Sequence, residues 1–331
     1  MNLKRKSLNC LFFSIVLIIL SNLSNPLAIA SEKMVLKVGS KFPETYPLSQ
    51  GLLKMGELIE KETNGKITFQ YFFDEKLGKK QKVFKMIQNG QVDITTFFAQ
   101  YLAESVPELE IFNLPYLFKN ENHYLSYIFG QGGKELLKTT KKVGMTGLTF
   151  FNDGQRSFYA NKMIHSIEDL KGLKIRILNA PIYSDMVKAL NGIPVFLPFN
   201  KVSSYLQKGI IDAAENNYAS WVTKQHYKYA KYYMQDAHLR IPHVLVISGK
   251  TWKKLDDSQQ KLFIKASGES AAYAVKKWNE NKMNSIKIAK QNGCKIVNRI
   301  DLAPFQKLMK PLWDKYGIQH KKRITDIQSV K

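Results

Sequence analysis

The chain has 331 residues, of which 44% are hydrophobic and 23% charged, and its 50 basic and 27 acidic residues give a formal net charge of +23 at pH 7. This composition excludes a disordered chain, and two cysteines are too few for a small disulfide-stapled scaffold. A basic chain suits anionic partners, but the lysines are scattered along helical stretches and do not cluster with aromatic residues. We therefore predict no nucleic-acid binding, and a lysine-rich genome would also account for the charge.

The first 30 residues have the layout of a cleaved secretory signal peptide. A basic start at residues 4–6 precedes an apolar run at 11–20, which is too short to span a bilayer comfortably. Ala28 and Ala30 then stand at the A-x-A spacing of a cleavage site. We predict cleavage after Ala30 and export of the chain, with a retained membrane anchor as the alternative.

Removal of residues 1–30 would leave 301 residues with a net charge of +20, because that segment holds three basic and no acidic residues. Cys294 is then the only cysteine, so no internal disulfide can form and packing alone must hold the fold. A chain of this length predicts two domains with a sizeable buried core.

Apolar periodicity and glycine turns predict alternating strands and helices. The first stretch reads as strand 34–40, helix 48–63, strand 67–73, helix 82–90 and strand 92–98. This β-α-β-α-β order implies a parallel-type sheet flanked by helices. The second stretch also combines strands and helices. Its predicted strands are 143–151, 156–160, 173–178, 210–215 and 243–249, and its predicted helices are 182–190 and 202–209.

The third stretch predicts one long helix. From Asp257 to about Asn292 only Gly268 interrupts a helical pattern, and Asp257 with Gln260 is predicted to form the N-terminal capping pair. A helix of this length extends about 50 Å, which exceeds the diameter of one small domain. The economical fold is therefore α/β with two lobes, with the chain crossing between them and one long helix bracing both.

Motifs for catalysis or metal binding are weak in this sequence. None of the six histidines lies in a G-x-S-x-G elbow. His238 and His243 stand five residues apart around Pro242, with only Asp236 as an acidic neighbour, and we interpret them as packing or loop histidines. The stretch GQGGKELL at 130–137 is not a phosphate loop, because a Walker loop needs Ser or Thr after its lysine, and we predict a glycine turn before a helix. No metal and no cofactor are expected.

Two arginines are better candidates for a binding site. In LKIRIL, Arg176 alternates with Ile175 and Ile177 and so lies on the opposite face of the strand, two residues before the strand ends. Arg156 begins another predicted strand. Ligands of α/β sheets collect near strand ends at crossovers, where a guanidinium matches a carboxylate with two parallel hydrogen bonds. The alternative is that each arginine pairs with an acidic neighbour such as Asp153 or Glu215.

A further group of polar and aromatic candidates lies in or near IIDAAENNYASW at 210–221. Asn216 and Asn217 follow an apolar strand, and their amides could donate to and accept from a polyhydroxyl ligand. An N-cap on the next helix is an equally good role for Asn217. Phe199, in VFLPFNK, is either core or an apolar wall against a sugar-like ligand.

Together these motifs resemble the substrate-binding subunits of TRAP transporters, the tripartite ATP-independent periplasmic transporters. The resemblance is carried by DLKGLKIRILNAP (169–181), NGIPVFLPFNKVSSYLQKGIIDAAENN (191–217), QVDITTFF (91–98), FNLPYLF (112–118) and QRSFYANKMIHS (155–166), in this family's order and spacing. It covers nearly all of the chain after residue 30.

The resemblance implies a two-lobed periplasmic binding protein with three interdomain crossovers and a long helix bracing both lobes. We expect lobe I to comprise residues 31–153 and 242–281, and lobe II residues 154–241 and 282–331. It also implies a periplasmic, non-catalytic protein that binds an organic acid in its cleft and delivers it to a membrane permease driven by an ion gradient. We expect it to be a monomer.

The family's site residues map onto this chain one by one. Its carboxylate-gripping arginine falls on Arg176, which would then be exposed in the cleft. Its second arginine falls on Arg156, its asparagine on Asn216 and its aromatic residue on Phe199. From the residues alone we add Asn217 to this set of ligand-binding candidates.

RSFY (156–159) and ENN (215–217) are similar to members that bind hexuronates such as D-glucuronate or D-galacturonate. The chain departs from them at LGKKQK (77–82), where they often carry an acidic residue, and at Lys41-Phe42, where they often carry Asn-His. A C4-dicarboxylate or another small acid therefore stays open, and Lys41 could serve a second acidic group.

Phe98 stands where sialic-acid binders usually carry a glutamate, so sialic acid is not expected. Two alternative functions would use the same cleft. One is an exported hydrolase or lyase of acidic sugars, and the other is an extracytoplasmic ligand sensor.

Overall fold

The structure is a computed structural model that describes residues 33–330. The predicted signal peptide and its cleavage after Ala30 lie outside the described residues. The strands are β1 (Met34–Gly39), β2 (Ile67–Phe72), β3 (Ile94–Phe98), β4 (Met145–Phe151), β5 (Ser157–Ala160), β6 (Lys174–Ile177), β7 (Ile193–Phe196), β8 (Ala213–Asn216), β9 (Tyr232–Met234), β10 (His243–Ser248) and β11 (Lys295–Val297).

The α-helices follow the predicted spacing within a few residues. They are α1 (Pro47–Glu62), α2 (Lys80–Asn89), α3 (Ala99–Leu102), α4 (Glu121–Phe129), α5 (Gln131–Lys138), α6 (Pro181–Ala189), α7 (Val202–Gln207), α8 (Tyr218–Thr223), α9 (Gly249–Trp252), α10 (Asp257–Gln291), α11 (Ala303–Tyr316) and α12 (Lys321–Ser329). The glycine-rich stretch at 130–137 makes up nearly all of α5, with Gly130 at its N-cap. Gly132 and Gly133, which we predicted in a turn before the helix, lie inside it.

The first sheet, sheet A, has the strand order β2-β1-β3-β10-β4. β1 and β3 run parallel, as the β-α-β-α-β pattern predicts. The sheet as a whole is mixed, because β10 is inserted antiparallel between β3 and β4. The alternation of strands and helices in residues 34–98 gives no information on this strand, which arrives from a distant part of the chain.

The second sheet, sheet B, has the order β11-β9-β5-β8-β6-β7. β6 lies between β7 and β8 and is parallel to both, whereas β5 is antiparallel to β8. The chain passes between the two sheets at 152–156, at 235–242 and along α10. The two-lobed α/β fold with three crossovers is therefore confirmed.

Helix α10 connects the two halves by packing. It contacts α1 and β4 on the side of sheet A and α8 on the side of sheet B. Ala289, near its C-terminal end, is buried in the cluster that contains Trp221 of α8. The helix ends one residue before the predicted Asn292, so its length is as predicted.

The predicted capping pair of α10 is wrong by one residue. Asp256, not Asp257, is the N-cap, and its carboxylate accepts from the Gln259 amide while the Gln259 side chain accepts from the Asp256 amide. The sequence contains the D-x-x-Q spacing twice, offset by one position. Leu255, the residue directly before Asp256, is buried. Its burial favours the helix start at which Asp256 is the N-cap.

Within residues 33–330, no helix is both long and apolar enough to cross a bilayer. The same part of the chain holds no group of three or more His, Cys, Asp or Glu side chains arranged for a metal ion. Cys294 is a buried free thiol.

Candidate functional site

Arg176 lies on β6, which is next to the edge strand β7 of sheet B. Its strand neighbours Ile175 and Ile177 are buried, and Lys174 at the edge of the strand is exposed. Arg176 itself is only 4% exposed, so the expectation of an exposed arginine is wrong. The alternation correctly placed it on the face opposite the isoleucines, where Leu197 and Phe199 lie next to its side chain.

The guanidinium of Arg176 is incompletely paired. Its Nε donates to the Leu197 carbonyl at 3.2 Å, and its Cζ lies 5.7 Å from the centre of the Phe199 ring. Among the described residues, its two terminal nitrogens have no hydrogen-bond partner and it forms no salt bridge. Burial lowers the pKa of Arg176, and the Glu215 carboxylate opposes this. An arginine stays protonated in proteins, so a buried positive charge here lacks an anion.

Arg156 directly precedes β5, and four of its five guanidinium N–H groups donate to the protein. Its Nε donates to Glu215 Oε2 at 2.6 Å, and its Nη2 donates to Glu215 Oε1 at 2.9 Å and to the Glu215 carbonyl at 3.0 Å. Its Nη1 donates to Asn216 Oδ1 at 3.1 Å. Although burial opposes it, Glu215 raises the pKa of Arg156. The alternative that an arginine pairs with Glu215 is therefore observed for this residue.

His238 extends this ion pair into a row of alternating charges. Its Nδ1 lies 2.6 Å from Asp236 Oδ2, and its Nε2 lies 3.6 Å from Glu215 Oε2. Against the effect of burial, the two carboxylates raise the pKa of His238 to about 9. Burial raises the pKa of Glu215, but Arg156 and His238 together lower it to about 2. His238 does lie in a loop, as predicted, but as a charged member of this row and not as a packing residue.

The two candidate asparagines have different roles. Asn216 Oδ1 accepts from Arg156 and from the Asn217 amide, while its Nδ2 has no partner within residues 33–330. Asn217 caps α8 by accepting from the Ser220 amide at 2.8 Å, and its Nδ2 donates to the Asp153 carbonyl at 3.0 Å. Both ends of the Asn217 amide are therefore used inside the protein, which is the capping role that the sequence left open.

Lys41 reaches the site from the loop after β1. The residue is exposed overall, but its ammonium lies 4.6 Å from the centre of the Phe42 ring and 5.8 Å from that of Phe98. Burial of the ammonium lowers the pKa of Lys41, against the effects of Asp153 and Glu75. Phe98 also lies 6.0 Å from the Arg156 guanidinium. The structure thus brings Lys41, from the side of sheet A, close to the arginines of sheet B.

Two residues of this site were missed as ligand-binding candidates. Asp153 follows β4, and its Oδ1 accepts from the Tyr46 hydroxyl at 2.8 Å. Its Oδ2 lies 3.7 Å from Nε2 of His243, the first residue of β10. Burial raises the pKa of Asp153 to about 6, opposed by Lys41 and Tyr46. A signal existed, since both residues stand where strands of sheet A meet a crossover.

His243 packs between aromatic rings, as predicted, but its ring nitrogens are unpaired in the described part of the chain. It is 1% exposed, and neither ring nitrogen has a hydrogen-bond partner among the described residues. Its ring contacts Phe42 and Phe98 at centroid distances of 5.4 and 5.1 Å. Burial and the Lys41 charge hold the pKa of His243 well below its usual value, so the ring is neutral and carries one donor and one acceptor.

The charges around the site do not balance. The positive groups are Lys41, Arg156, Arg176 and His238, and the negative groups are Asp153, Glu215 and Asp236. Because buried charges need partners, these seven groups leave one positive charge without a counter-charge among the described residues. Arg176 carries it, since its terminal nitrogens are unpaired there.

Residues 38–320 match the model of the bacterial extracellular solute-binding proteins, family 7. The chain belongs to this family. A TRAP periplasmic solute-binding protein from Pseudomonas putida F1, with bound D-glucuronate, is similar to it at 31% identity and a TM-score of 0.83, covering 90% of this chain and 98% of that one. A second, from Xanthobacter autotrophicus Py2 with bound β-D-galacturonate, is 31% identical with a TM-score of 0.81, covering 89% and 100%.

The C4-dicarboxylate-binding periplasmic protein DctP of Rhodobacter capsulatus is 26% identical, and the match covers 86% of each chain. The protein described here is a TRAP solute-binding protein. Proteins of this family bind small carboxylate or sugar-acid ligands, work with TRAP membrane permeases and are periplasmic.

Proposed function

We propose that this solute-binding protein captures a hexuronate, such as D-glucuronate or D-galacturonate, between sheets A and B. The observation that carries the proposal is the buried Arg176 guanidinium, whose terminal nitrogens have no partner among the described residues. The ligand carboxylate would form a two-point salt bridge with it. The relatives from P. putida and X. autotrophicus, which hold uronates, support this ligand class.

The charge balance favours a monocarboxylate over a dicarboxylate. One ligand carboxylate makes the four positive and three negative groups of the site neutral. A C4-dicarboxylate would leave an excess negative charge next to Asp153, unless that carboxyl took up a proton. The R. capsulatus relative supports a C4-dicarboxylate as the second candidate. Lys41 offers a cation for the second carboxylate of such a ligand.

The remaining candidates take supporting roles in this proposal. The unpartnered Nδ2 of Asn216 donates to the ligand, and Phe199, already stacked near Arg176, forms an apolar wall. Arg156 presents its one Nη1 hydrogen that Asn216 does not use. Lys41 contacts the end of the ligand opposite Arg176, and Asn217 positions Asp153.

We further propose that residues 31–153 and 242–281 move as one lobe and residues 154–241 and 282–331 as the other. Ligand binding closes the lobes by hinge motion at the crossovers, and the closed, monomeric form docks on the permease. Cleavage after Ala30 releases the protein into the periplasm. Neighbouring genes would separate a transporter from a ligand sensor, because a transporter is encoded with permease subunits and a sensor with a kinase.

A thermal-shift screen of the purified protein against organic acids, followed by calorimetry, tests the proposal. Binding stabilises the folded state by RT ln(1 + [L]/Kd), about 2.7 kcal/mol at a ligand concentration 100 times Kd. We expect D-glucuronate or D-galacturonate to raise the Tm more than succinate. If no carboxylate raises the Tm, or if chromatography shows the uronate converted to a product, the proposal is wrong, and the second result favours a hydrolase or lyase.

A further inference from the structure

On the side of sheet A, the site contains a group of polar side chains without partners. His243 has two unpaired ring nitrogens, and Thr96 has an unpaired hydroxyl, although both residues are buried. Thr96 and Phe98 alternate along β3, and Phe98 is directly opposite His243 on β10. Thr96, Phe98 and His243 therefore lie on one face of sheet A.

Asp153 and Lys41 complete this group. Asp153 Oδ2 accepts no hydrogen bond among residues 33–330, whereas Oδ1 is held by the Tyr46 hydroxyl. The Lys41 ammonium forms no salt bridge in that part of the chain and contacts only the Phe42 and Phe98 rings. A buried polar atom without a partner costs about 1–3 kcal/mol, so an arrangement with several of them indicates a ligand.

The donors and acceptors of this group fit hydroxyl groups. Asp153 accepts, Lys41 donates, and the neutral His243 ring and the Thr96 hydroxyl can do both. A sugar hydroxyl both donates and accepts, so adjacent hydroxyls can satisfy all four side chains. A second ligand carboxylate would instead lie next to the Asp153 carboxylate, and two neighbouring negative charges repel each other.

The aromatic rings support the same ligand class. Phe42 stacks on Tyr46 at a centroid distance of 4.0 Å, and Phe42 and Phe98 both contact His243. Such rigid apolar surfaces beside converging polar groups are typical of sites that bind a small ligand with apolar and polar faces. The C–H face of a pyranose ring offers this combination.

We propose that Asp153 and His243 are the specificity-determining residues of a hydroxyl-recognising subsite on sheet A, which selects polyhydroxylated monocarboxylates. The inference rests on the proposed function, in which Arg176 holds the carboxylate from sheet B. Phe98 lies between the two regions, because it is near both Lys41 and the Arg156 guanidinium. One ligand could therefore reach both.

Calorimetry with D-glucuronate, D-galacturonate and succinate tests the subsite in the wild type, Asp153→Asn and His243→Gln. We expect each variant to bind the hexuronates at least tenfold more weakly. Its affinity for succinate should fall by less than threefold, and in Asp153→Asn it should rise, because the repelling carboxylate is gone. The exposed Asp314→Asn and His165→Gln make the same chemical changes elsewhere and should match the wild type. If Asp153→Asn does not fold, as judged by its Tm without ligand, His243→Gln decides alone.

The outcomes separate the subsite from the proposed function. Hexuronate affinity within threefold of wild type in the variants, or an equal loss for succinate, would overturn the subsite and leave the proposed function standing. A wild type that binds succinate but neither hexuronate would overturn both the subsite and the proposed hexuronate ligand, and would favour the C4-dicarboxylate. A wild type that binds none of the three acids would overturn the proposed function, and with it the subsite.

Discussion

The Glu215 carboxylate accepts two hydrogen bonds from the Arg156 guanidinium, with Oε2 2.6 Å from Nε and Oε1 2.9 Å from Nη2. This pairing neutralises and orients Arg156 before any ligand arrives. The second arginine of the site, Arg176, has no such partner among the described residues. Two arginines that look alike in the sequence therefore differ in their pairing, since Arg156 has a counter-charge within the described residues and Arg176 has none there.

Arg176→Ala should weaken uronate binding by about 2–5 kcal/mol, the range for truncating one partner of a desolvated charge pair. Arg176→Lys should recover only part of this, because an ammonium cannot form the two parallel hydrogen bonds of a guanidinium. The measurement is titration calorimetry on proteins of unchanged secondary structure. Lys174→Ala, on the same strand but exposed, is the control, and a loss of less than threefold for Arg176→Ala would exclude its role as anchor.

Glu215→Gln should lower the free energy of unfolding by about 3–5 kcal/mol, since it leaves the buried Arg156 without its counter-charge. Urea denaturation of the ligand-free protein measures the change. Glu280→Gln removes the exposed partner of Lys277 and should leave the urea midpoint unchanged, because solvent screens surface pairs. Similar urea midpoints for the two variants would contradict a larger contribution of the buried Arg156–Glu215 pair to the free energy of unfolding.

His238 should make the stability fall as the pH rises above neutrality. Its pKa in the folded protein, about 9, lies above the usual 6.5, so its stabilising effect is complete below pH 6.5 and is lost as the pH rises through 9. The loss is about 3 kcal/mol, from 1.36 kcal/mol per pKa unit.

Urea denaturation between pH 6 and 10 tests this, with the wild type compared with His238→Gln so that other titrating groups cancel. We expect the stability difference between the two proteins to shrink over this range. A difference that stays constant would mean that the pKa of His238 is the same in the folded and the unfolded protein. His165→Asn, at an exposed position, should follow the wild type at every pH.

Gly154→Ala should destabilise the crossover between β4 and β5 more than a matched change elsewhere. Gly154 has φ +73°, and a Cβ there would lie 2.3 Å from Cζ2 of Trp278 on α10. Gly172 has φ +72° and no atom within 4 Å of such a Cβ. Both substitutions incur the left-handed strain of about 1–2 kcal/mol, and overpacking adds about 1–3 kcal/mol at Gly154 alone. If urea denaturation shows that Gly154→Ala and Gly172→Ala lose the same free energy of unfolding, the close contact with Trp278 is contradicted.

Hexuronate affinity should decrease as the pH falls below about 6. Burial raises the pKa of Asp153 to about 6, and protonation of its carboxyl removes the charged acceptor for ligand hydroxyls. The groups that face Asp153 are Tyr46, Lys41, Arg156 and His243. The pKa values of Tyr46 and Arg156 are raised, and His243 is held neutral. Calorimetry from pH 5 to 8 should show the decrease in the wild type and none in Asp153→Asn, and a flat profile in the wild type would contradict it.

The sequence predicted the main architecture because the signals for it are local. The periodicity of residues 48–63 and 257–292, the glycine at 90 and the strand-helix alternation each depend on neighbours within one or two turns. The family motifs added the positions of Arg176, Arg156, Asn216 and Phe199, which the structure places in one region. Lys41 joins them through Phe98, although it is more than 100 residues away from all of them in the sequence.

What the sequence by itself determined is most of the strands, the long helix α10, the two-lobed fold and the arginine-bearing strand, whereas it did not predict β7, β9, β11, α11 and α12. Only the tertiary structure decided which charges are paired, since ion pairs such as Arg156–Glu215 join residues far apart in the chain and no local pattern encodes them. It also decided that Arg176 is buried and that His243 stands unpaired beside Asp153. Burial and pairing depend on which strands become neighbours. β10 belongs to sheet A but follows most strands of sheet B in the chain, so its neighbours in the sheet are distant from it in the sequence.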